Sequence, residues 1–558
     1  MIRVANLSVV ASLGVAIATA ACSSPAKRPD GGKAASHPVD ITLFFTTEMK
    51  GTLEPCGCNS DPLGDIARTA ALISGVKKER GTALFDGGST LYVEAPVPAL
   101  KKDQAELTAD LTAKLLGDLG LSAAGLGPFD LPAGPQGVRF PRQAANVSAA
   151  GIPVEPPKIV DVGGVKVGVF GVVDPAAVPD LAASDATAAA KTAITSLRGQ
   201  GAQLVVALAH MKRPAARKLA REATGIDFVL VGQDAADDAP VAAEAVGATF
   251  LVTPANRGQV LSRVDVHVEP STAPLVDAIG PDRADAEGQK LDERIAKAEK
   301  DLAGWEKDPA AQKEFVARNR ADLEAMKARR QALTAHPTST PASGSWFVLR
   351  QVAIRKGLEC DAAVVAAKRN LDEAVGAANR AAARDEKAAP VPAGHASYAG
   401  IEECGFCHKA AVAFWKTTRH SEAWETLTTV GKQWNRDCIG CHVTGWAEPG
   451  GATLGANDNL REVQCEVCHG PASIHVDKDG KDRPRTIART PAQDLCAGRC
   501  HTHEHSDTFE LEAYLRDVTG PGHGEALRKK LGDGPTGHEL RSAALLKAGR
   551  GLGANCPR

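Results

Sequence analysis

The last third of the chain contains pairs of cysteines separated by two residues, each pair followed at once by a histidine. Two thiols at this spacing can form thioethers with the two vinyl groups of one haem, and the adjacent histidine then binds the iron. Three segments have this pattern, and a fourth has one extra residue between its cysteines: Cys404-Gly-Phe-Cys407-His408, Cys438-Ile-Gly-Cys441-His442, Cys465-Glu-Val-Cys468-His469 and Cys496-Ala-Gly-Arg-Cys500-His501. The sequence therefore predicts four covalently bound c-type haems.

Zinc sites and redox disulfides also use cysteine pairs, and they are the alternatives for these four motifs. Neither of them needs a histidine directly after every second cysteine, so the pattern favours haem. The fourth motif has an uncommon spacing, and its place at the end of the series is what assigns it to haem.

Each haem iron can take a sixth ligand, usually a second histidine when the haem transfers electrons. Outside the motifs, the last third of the chain offers seven candidates: His395, His420, His475, His503, His505, His523 and His538. We predict His395, His420 and His475 as ligands, and we choose His523 for the last haem. Seven candidates for four positions favour filled coordination shells.

Two stretches around the motifs carry a resemblance to a known family. They are Tyr398-Ala-Gly-Ile-Glu-Glu-Cys404 and Val463-Gln-Cys-Glu-Val-Cys-His-Gly-Pro-Ala-Ser-Ile-His475, with the helix of Trp415, His420 and Trp424 between them. Residues 394–540 resemble the cytochrome c-554 family of multihaem cytochromes. The resemblance implies electron transfer between periplasmic redox partners, such as cytochromes or quinol-linked complexes. Related folds reduce or oxidise small nitrogen compounds, and the spacing of the fourth motif departs from the family pattern.

The N-terminus predicts the compartment. Arg3 precedes an apolar run of small residues from Val9 to Ala21, which is too short to span a membrane and typical of a signal peptide over residues 1–21. Thr19-Ala-Ala-Cys22 resembles a bacterial lipobox in which Thr19 replaces the preferred leucine. Lipidated Cys22 would then anchor the chain through a tether of residues 22–39. We therefore predict a lipid-anchored protein of the bacterial cell envelope, on the periplasmic side of a membrane or at the cell surface. The alternative is a plain secreted protein; both place the mature chain outside the cytoplasm, where covalent haem attachment occurs.

Composition and the remaining cysteines set further bounds. A formal net charge of −2 gives no case for nucleic-acid binding. Cys56, Cys58, Cys360 and Cys556 belong neither to the haem motifs nor to the lipobox, and the sequence does not pair them. Cys56-Gly-Cys58 could form a disulfide, bind a soft metal, relay electrons to a haem or pair with other cysteines.

Residues 40–270 alternate short β-rich runs with helical stretches, which predicts a layered α/β domain. The predicted strands are 41–47, 83–85, 165–173, 204–209, 228–231, 249–253 and 262–268, and the predicted helices are 65–78, 103–119 and 185–198. Five stretches carry a resemblance in their order: Ile41–Pro55, Gly64–Ile73, Phe85–Ser89, Phe140–Val147 and Leu208–His210. They resemble the calcineurin-type metallophosphoesterase fold, in its 5′-nucleotidase branch.

That resemblance implies two metal ions held by Asp, His and Asn side chains at strand ends. Most of these positions have other residues here: Glu48, Lys50, Ser89, Gly127-Pro128-Phe129 and Gly232-Gln233-Asp234-Ala235. His210 remains as a single strand-end histidine. We therefore expect a phosphoesterase-like domain without catalytic activity, kept for docking or scaffolding.

Residues 271–390 predict a helical hairpin connector with a break at Asp308-Pro309, then a strand over 345–354 and a helix over 360–384. The sequence thus predicts a multidomain chain: an N-terminal α/β layered metallophosphoesterase-like sandwich, a helical connector, and a mainly α-helical tetrahaem cytochrome c domain over residues 391–558.

A membrane-anchored electron carrier is the leading function. The competitor is an oxidoreductase acting on hydroxylamine, nitrite or nitric oxide at one open haem, which we expect at the fourth motif. A redox sensor or adaptor has no residue support of its own.

Overall fold

The computed structural model describes residues 37–55, 59–148, 151–233, 239–270, 273–307, 313–481, 487–492, 494–502 and 505–548 together with Cys556. The predicted signal peptide, Cys22, most of the tether, Cys56, Cys58 and His503 lie outside these residues. So do Asp234 and Ala235 of the predicted ligand loop and the predicted helix break at Asp308-Pro309. No helix in the described parts of the chain is long and apolar enough to cross a membrane.

The strands of the N-terminal region form two six-stranded sheets and one two-stranded ribbon within the described residues. The first sheet has the order β13-β14-β12-β1-β2-β3 and the second β10-β11-β9-β8-β7-β6, while β4 pairs with β5. In chain order the strands are β1 Val39–Thr46, β2 Gly81–Asp86, β3 Leu121–Ala124, β4 Arg142–Gln143, β5 Val154–Glu155, β6 Lys158–Val162, β7 Val165–Val173, β8 Leu204–His210, β9 Phe228–Val231, β10 Glu244–Val246, β11 Thr249–Val252, β12 Val260–Val268, β13 Val276–Asp277 and β14 Trp346–Ala353.

The two sheets pack face to face around an apolar core. Phe45 on β1 and Phe228 on β9 meet across the interface with ring centres 6.4 Å apart. Phe347 on β14 joins them, with its ring centre 5.0 Å from that of Phe228. Central strands such as β7 and β8 are almost wholly buried because the other sheet covers one face and helices cover the other.

Helices cover the outer faces and complete a four-layer sandwich. Helices α3 and α4 pack on the second sheet, and α1, α2 and α7 pack on the first. Their bounds are α1 Ile66–Lys77, α2 Lys102–Asp118, α3 Ala186–Gly199, α4 Arg213–Glu222 and α7 Ala362–Ala382. Asp65, Asp185 and Asp361 cap α1, α3 and α7 by accepting backbone N–H bonds. The predicted layered α/β fold is confirmed.

The connector region contains the predicted hairpin, formed by α5 Pro281–Trp305 and α6 Lys313–Ala335. Ion pairs such as Arg330 with Asp292 join the two helices. Strand β14, which follows the hairpin, lies inside the first sheet and pairs with β12 and β13. Part of the segment that we predicted as connector thus completes the α/β sandwich, because the backbone edge of β12 pairs with it. A disulfide joins Cys360, just before α7, to Cys556 across 196 residues.

The C-terminal region consists of short helices separated by turns. They are α8 Ile401–Cys407, α9 Lys409–Trp415, α10 Ala423–Thr429, α11 Cys465–His469, α12 Ser473–Asp477, α13 Asp494–Arg499, α14 Leu511–Val518, α15 Glu525–Leu531 and α16 Gly537–Lys547. Its apolar core is small and is built around Trp424, Ile439 and Leu460, with Trp434 and Trp446 packed against it. The predicted mainly helical character is confirmed. Because this core is small, we expect bound groups to contribute much of the stability of the region.

Candidate functional site

Three of the four motif histidines each face a second histidine. The ring centres of His408 and His475 lie 6.2 Å apart, those of His501 and His420 lie 6.3 Å apart, and those of His469 and His523 lie 6.0 Å apart. In every pair one histidine belongs to a haem motif and the other does not. The structure thus brings together three motif histidines and three of the four predicted sixth ligands.

The spacing of these pairs fits one iron atom between the two rings. A metal–imidazole bond is about 2.0 Å long and the ring nitrogen lies about 1.1 Å from the ring centre, so two ligands across one iron have ring centres about 6.2 Å apart. All three measured separations agree with that value to within a few tenths of an ångström. The residues therefore fit bis-histidine haem at the first, third and fourth motifs.

Hydrogen bonds at Nδ1 orient several of these rings. His469 Nδ1 lies 2.7 Å from the Ala488 carbonyl oxygen, His523 Nδ1 lies 2.8 Å from that of Val518, and His501 Nδ1 lies 3.2 Å from Ser506 Oγ. A bond at Nδ1 fixes the tautomer and leaves Nε2 for the metal. Burial lowers the pKa of His501 to about 4 and also lowers the pKa of His420, so both rings are neutral at pH 7, the state that binds a metal.

The pairing differs from the expectation at the third and fourth motifs. We predicted His523 for the fourth motif, but it faces His469 of the third, and His420 faces His501 of the fourth. The turn after α14 holds His523 by its bond to Val518 and places the ring beside the third motif. The fourth motif histidine is further packed between Phe509 and Tyr514 at ring-centre distances of 4.9 and 5.0 Å.

The other histidines have different surroundings. His442 of the second motif has its Nδ1 against the Ala423 carbonyl and 3.3 Å from Thr426 Oγ1. His395, which we predicted as a ligand, is exposed and lies outside the three pairs. His538 is exposed at the start of α16, and His505 is half-buried.

Cysteines of different motifs are neighbours. The thiols of Cys404 and Cys465 are hydrogen-bonded, as are those of Cys441 and Cys500, so the first motif adjoins the third and the second adjoins the fourth. The hydrogen bond to the neighbouring thiol raises the pKa of Cys404 and that of Cys500, and burial raises both further. These contacts bring the attachment points of different haems together in two close pairs, and Cys468 of the third motif also interacts with Cys496 of the fourth.

Glu466, which lies inside the third motif, was not singled out from the sequence. Its side chain is buried and accepts hydrogen bonds from the backbone N–H groups of Ala399, Gly400 and Ala472, each at 2.8 Å. It thereby ties the start of α8, which carries the first motif, to the third motif. A charged residue between two haem cysteines is the only sequence signal for this role.

Among the described residues, the edge of the α/β sandwich that corresponds to the predicted relic site is tightly packed around His210. His210, at the end of β8, is fully buried, with Nδ1 3.2 Å from the Gly87 carbonyl and Nε2 3.5 Å from Ser89 Oγ. A Cβ atom on Gly127 would lie 2.7 Å from the His210 ring, so the packing there leaves no space. Burial lowers the pKa of His210 and keeps it neutral.

Lys50 and Glu48 pair with each other at this edge, 3.8 Å apart, and the Lys50 ammonium lies 4.4 Å from the centre of the Phe129 ring. Glu48 and Lys50, at two of the predicted ligand positions, are thus engaged with each other. Across the described part of the chain, no group of three or more His, Cys, Asp or Glu side chains is arranged to hold a metal ion.

A buried carboxylate at the same edge yields a pH prediction. Burial raises the pKa of Asp86 to about 6, although Thr46, Thr90 and the Gly88 N–H donate hydrogen bonds to it. The folded state therefore holds this proton more tightly than the unfolded chain, whose aspartate has a pKa of about 3.9. The stabilisation is complete below about pH 4 and is lost as the pH rises from about 4 to about 6.

We expect the free energy of unfolding of the native protein, minus that of Asp86→Asn, to fall by about 2 kcal/mol between about pH 4 and about pH 6. Urea denaturation at a series of pH values measures this difference, and the subtraction removes the contributions of the other groups. A difference that stays constant over this range would contradict the prediction.

Comparisons with known proteins find similar proteins for both parts of the chain. Among curated proteins, cytochrome c-554 of Nitrosomonas europaea is 34% identical over 122 residues, which cover 18% of this chain and 52% of the relative. The chain thus spans about half the length of this relative. Similar solved structures include a 5′-nucleotidase precursor from Thermus thermophilus, with 23% identity, a TM-score of 0.37 and coverage of 42% of this chain and 53% of that one. The calcineurin-like phosphoesterase YfkN from Bacillus subtilis has 21% identity, a TM-score of 0.33 and coverage of 42% and 86%.

The family profile described as cytochrome c554 and c-prime matches residues 403–470, which contain the first three attachment motifs and His420. This match shows a cytochrome c554 domain over residues 403–470, and the paired histidines lie within and after it.

Proposed function

We propose that the chain is a tetrahaem c-type cytochrome that transfers electrons between redox partner proteins, such as other cytochromes or quinol-linked complexes. The observation that carries the proposal is the set of three facing histidine pairs, 6.0–6.3 Å between ring centres. A haem held between two histidines supplies a one-electron couple and leaves no iron site for a substrate. Filled coordination is therefore what an electron carrier needs.

The adjacency of the attachment cysteines supports the same function. Because Cys404 adjoins Cys465 and Cys441 adjoins Cys500, groups bound at these thiols would lie close together in two pairs. Close spacing permits electrons to pass from one site to the next within the domain. The residues of this chain that do this work hold, orient and cover the haems.

The α/β domain acts in this proposal as a docking unit without phosphoesterase activity. The burial of His210, the mutual pairing of Glu48 and Lys50, and the tight packing around Gly127 support it. Phosphatase activity that depends on bound manganese or zinc and is abolished by His210→Ala would contradict this part of the proposal.

The cellular location is proposed from the sequence. The apolar run up to Ala21 and the lipobox-like position of Cys22 support export and lipid anchoring on the periplasmic side of a membrane or at the cell surface. Attachment of c-type haem to bacterial proteins outside the cytoplasm agrees with this location.

Titration of the reduced, haem-loaded protein with carbon monoxide tests the assignment. Because three irons are expected to be six-coordinate, no more than about a quarter of the haem absorbance should respond. No response is the result expected for an electron carrier. A response of about a quarter would reveal one open iron and favour the oxidoreductase alternative, with the haem at Cys438, Cys441 and His442 the first to test.

A further inference from the structure

The segment that leads into the second haem motif, residues 432–437, is held by the α/β domain. Gln104 on α2 is buried and has both ends of its amide hydrogen-bonded to this region. Its Nε2 donates to Asn435 Oδ1 at 3.1 Å and to Asp437 Oδ2 at 2.6 Å, while its Oε1 accepts from the Arg436 N–H at 3.1 Å. A buried amide saturated in this way fixes the position of the segment.

Helix α7 holds the same segment from a second side. Asn379 Nδ2 donates to the Trp434 carbonyl at 2.8 Å and to Gln104 Oε1 at 2.9 Å. Just beyond α7, Glu386 forms an ion pair at 2.6 Å with Arg436, whose side chain is buried. Residues of α2, of α7 and of the chain that follows α7 therefore bind this segment.

Ion pairs also hold the segment of residues 432–437 against the α/β domain. Lys432 has 21% of its side chain exposed and pairs with Glu54, in the loop after β1, and with Asp372 on α7 at 3.5 Å. Glu54 also lies 3.2 Å from Lys368, which pairs with Asp65 at 2.6 Å. Lys101 at the start of α2 pairs with Asp437 at 2.7 Å. Glu54 thus pairs with two lysines: Lys368 on α7 and Lys432 in the cytochrome domain.

Two successive turns connect Lys432 to the haem attachment site. Asn435 N–H donates to the Lys432 carbonyl at 3.0 Å, and Cys438 N–H donates to the Asn435 carbonyl at 3.1 Å. Lys432 is thus anchored six residues before Cys438, the first cysteine of the second motif. A charge in this partly buried setting is weakly screened, so its field reaches groups bound at Cys438.

We propose that the α/β domain holds Lys432 and its partner Glu54 beside the second attachment motif, and that these two charges set the reduction potential of the haem bound there. The proposal rests on the proposed function and deepens it: the docking partner of the α/β domain is the cytochrome domain of the same chain. Reduction adds an electron to the haem, so a nearby cation favours the reduced state and a nearby carboxylate disfavours it.

Spectropotentiometric titration of the full-length, haem-loaded protein tests the proposal with two substitutions of opposite charge effect. Lys432→Met should lower the midpoint potential of one haem, and Glu54→Gln should raise the potential of the same haem. Lys114→Met is the matched control: it removes a lysine from α2 whose side chain is 67% exposed and should leave every potential unchanged. A general loosening of the interface would move both test variants in the same direction.

Shifts in the same direction, shifts of all haems together, or no shift would overturn the proposal. If Lys432→Met does not fold, Glu54→Gln alone tests the proposal, because it preserves the shape of the side chain. The midpoint potential of one haem should then rise. In a variant without the second haem, Cys438→Ala with Cys441→Ala, Glu54→Gln should move no potential. Haem content measured by mass spectrometry separates the two proposals: loss of haem or of reversible reduction counts against the cytochrome function, whereas intact haems with unmoved potentials count against this inference alone.

Discussion

Replacing His475 by alanine is expected to convert one haem of the cytochrome domain from a six-coordinate form to a five-coordinate form that binds carbon monoxide. His475 faces His408 of the first motif at 6.2 Å between ring centres, which matches two ligands on one iron. Its removal leaves that iron without a protein ligand on one side. About a quarter of the haem absorbance should then respond to carbon monoxide beyond the response of the native protein, and a high-spin signal should appear in the absorption and electron paramagnetic resonance spectra.

His395→Ala is the matched control for this substitution. His395 is also a histidine close to the first motif, but it is exposed and stands outside the three facing pairs, so its removal should leave the spectra unchanged. A spectral change in His395→Ala together with none in His475→Ala would reverse the assignment of the sixth ligand. Equal haem content in both variants must accompany the comparison, since a lost haem would mimic a lost ligand.

Local patterns predicted much of the fold. The alternation of β-rich and helical runs predicted the main strands of both sheets, because a strand buried on both faces, such as Val165–Val173, reads as a continuous apolar run. The haem motifs were equally readable, since thioether attachment requires cysteines and histidine at a fixed spacing. These features depend on neighbours in sequence.

Long-range contacts explain what the sequence did not predict. Which histidine faces which motif depends on how the chain returns after α14, and His523 thus meets His469 rather than His501. The place of β14 beside β12 follows from sheet edges brought together across the helical hairpin. Gln104 is an ordinary helix residue in sequence, and only the docked segment at Asn435–Asp437 gives it a role.

Arg142→Met is expected to lower the free energy of unfolding of the α/β domain by about 3–5 kcal/mol, because it removes one partner of a fully buried ion pair. Arg142 and Asp130 are both 0% exposed, with Arg142 Nη2 3.0 Å from Asp130 Oδ1. Arg142 Nη1 also donates to Thr90 Oγ1 and to the Gly125 carbonyl. Methionine fills much of the same volume, so the loss measures chiefly the charge and its hydrogen bonds rather than a cavity.

The position of Asp130 explains why this pair matters at the tightly packed edge of the sandwich. Its carboxylate also accepts the backbone N–H groups of Ser89, Thr90 and Gly127, the loops that surround His210. Arg139→Met is the matched control: Arg139 pairs with Glu106 and Asp110 nearer the surface, where such pairs contribute about 1 kcal/mol or less. Urea denaturation followed by circular dichroism compares the two variants. Equal losses would mean that burial adds nothing to the Arg142–Asp130 pair. A large loss for Arg142→Met alone would show that this ion pair holds the loops around His210 together.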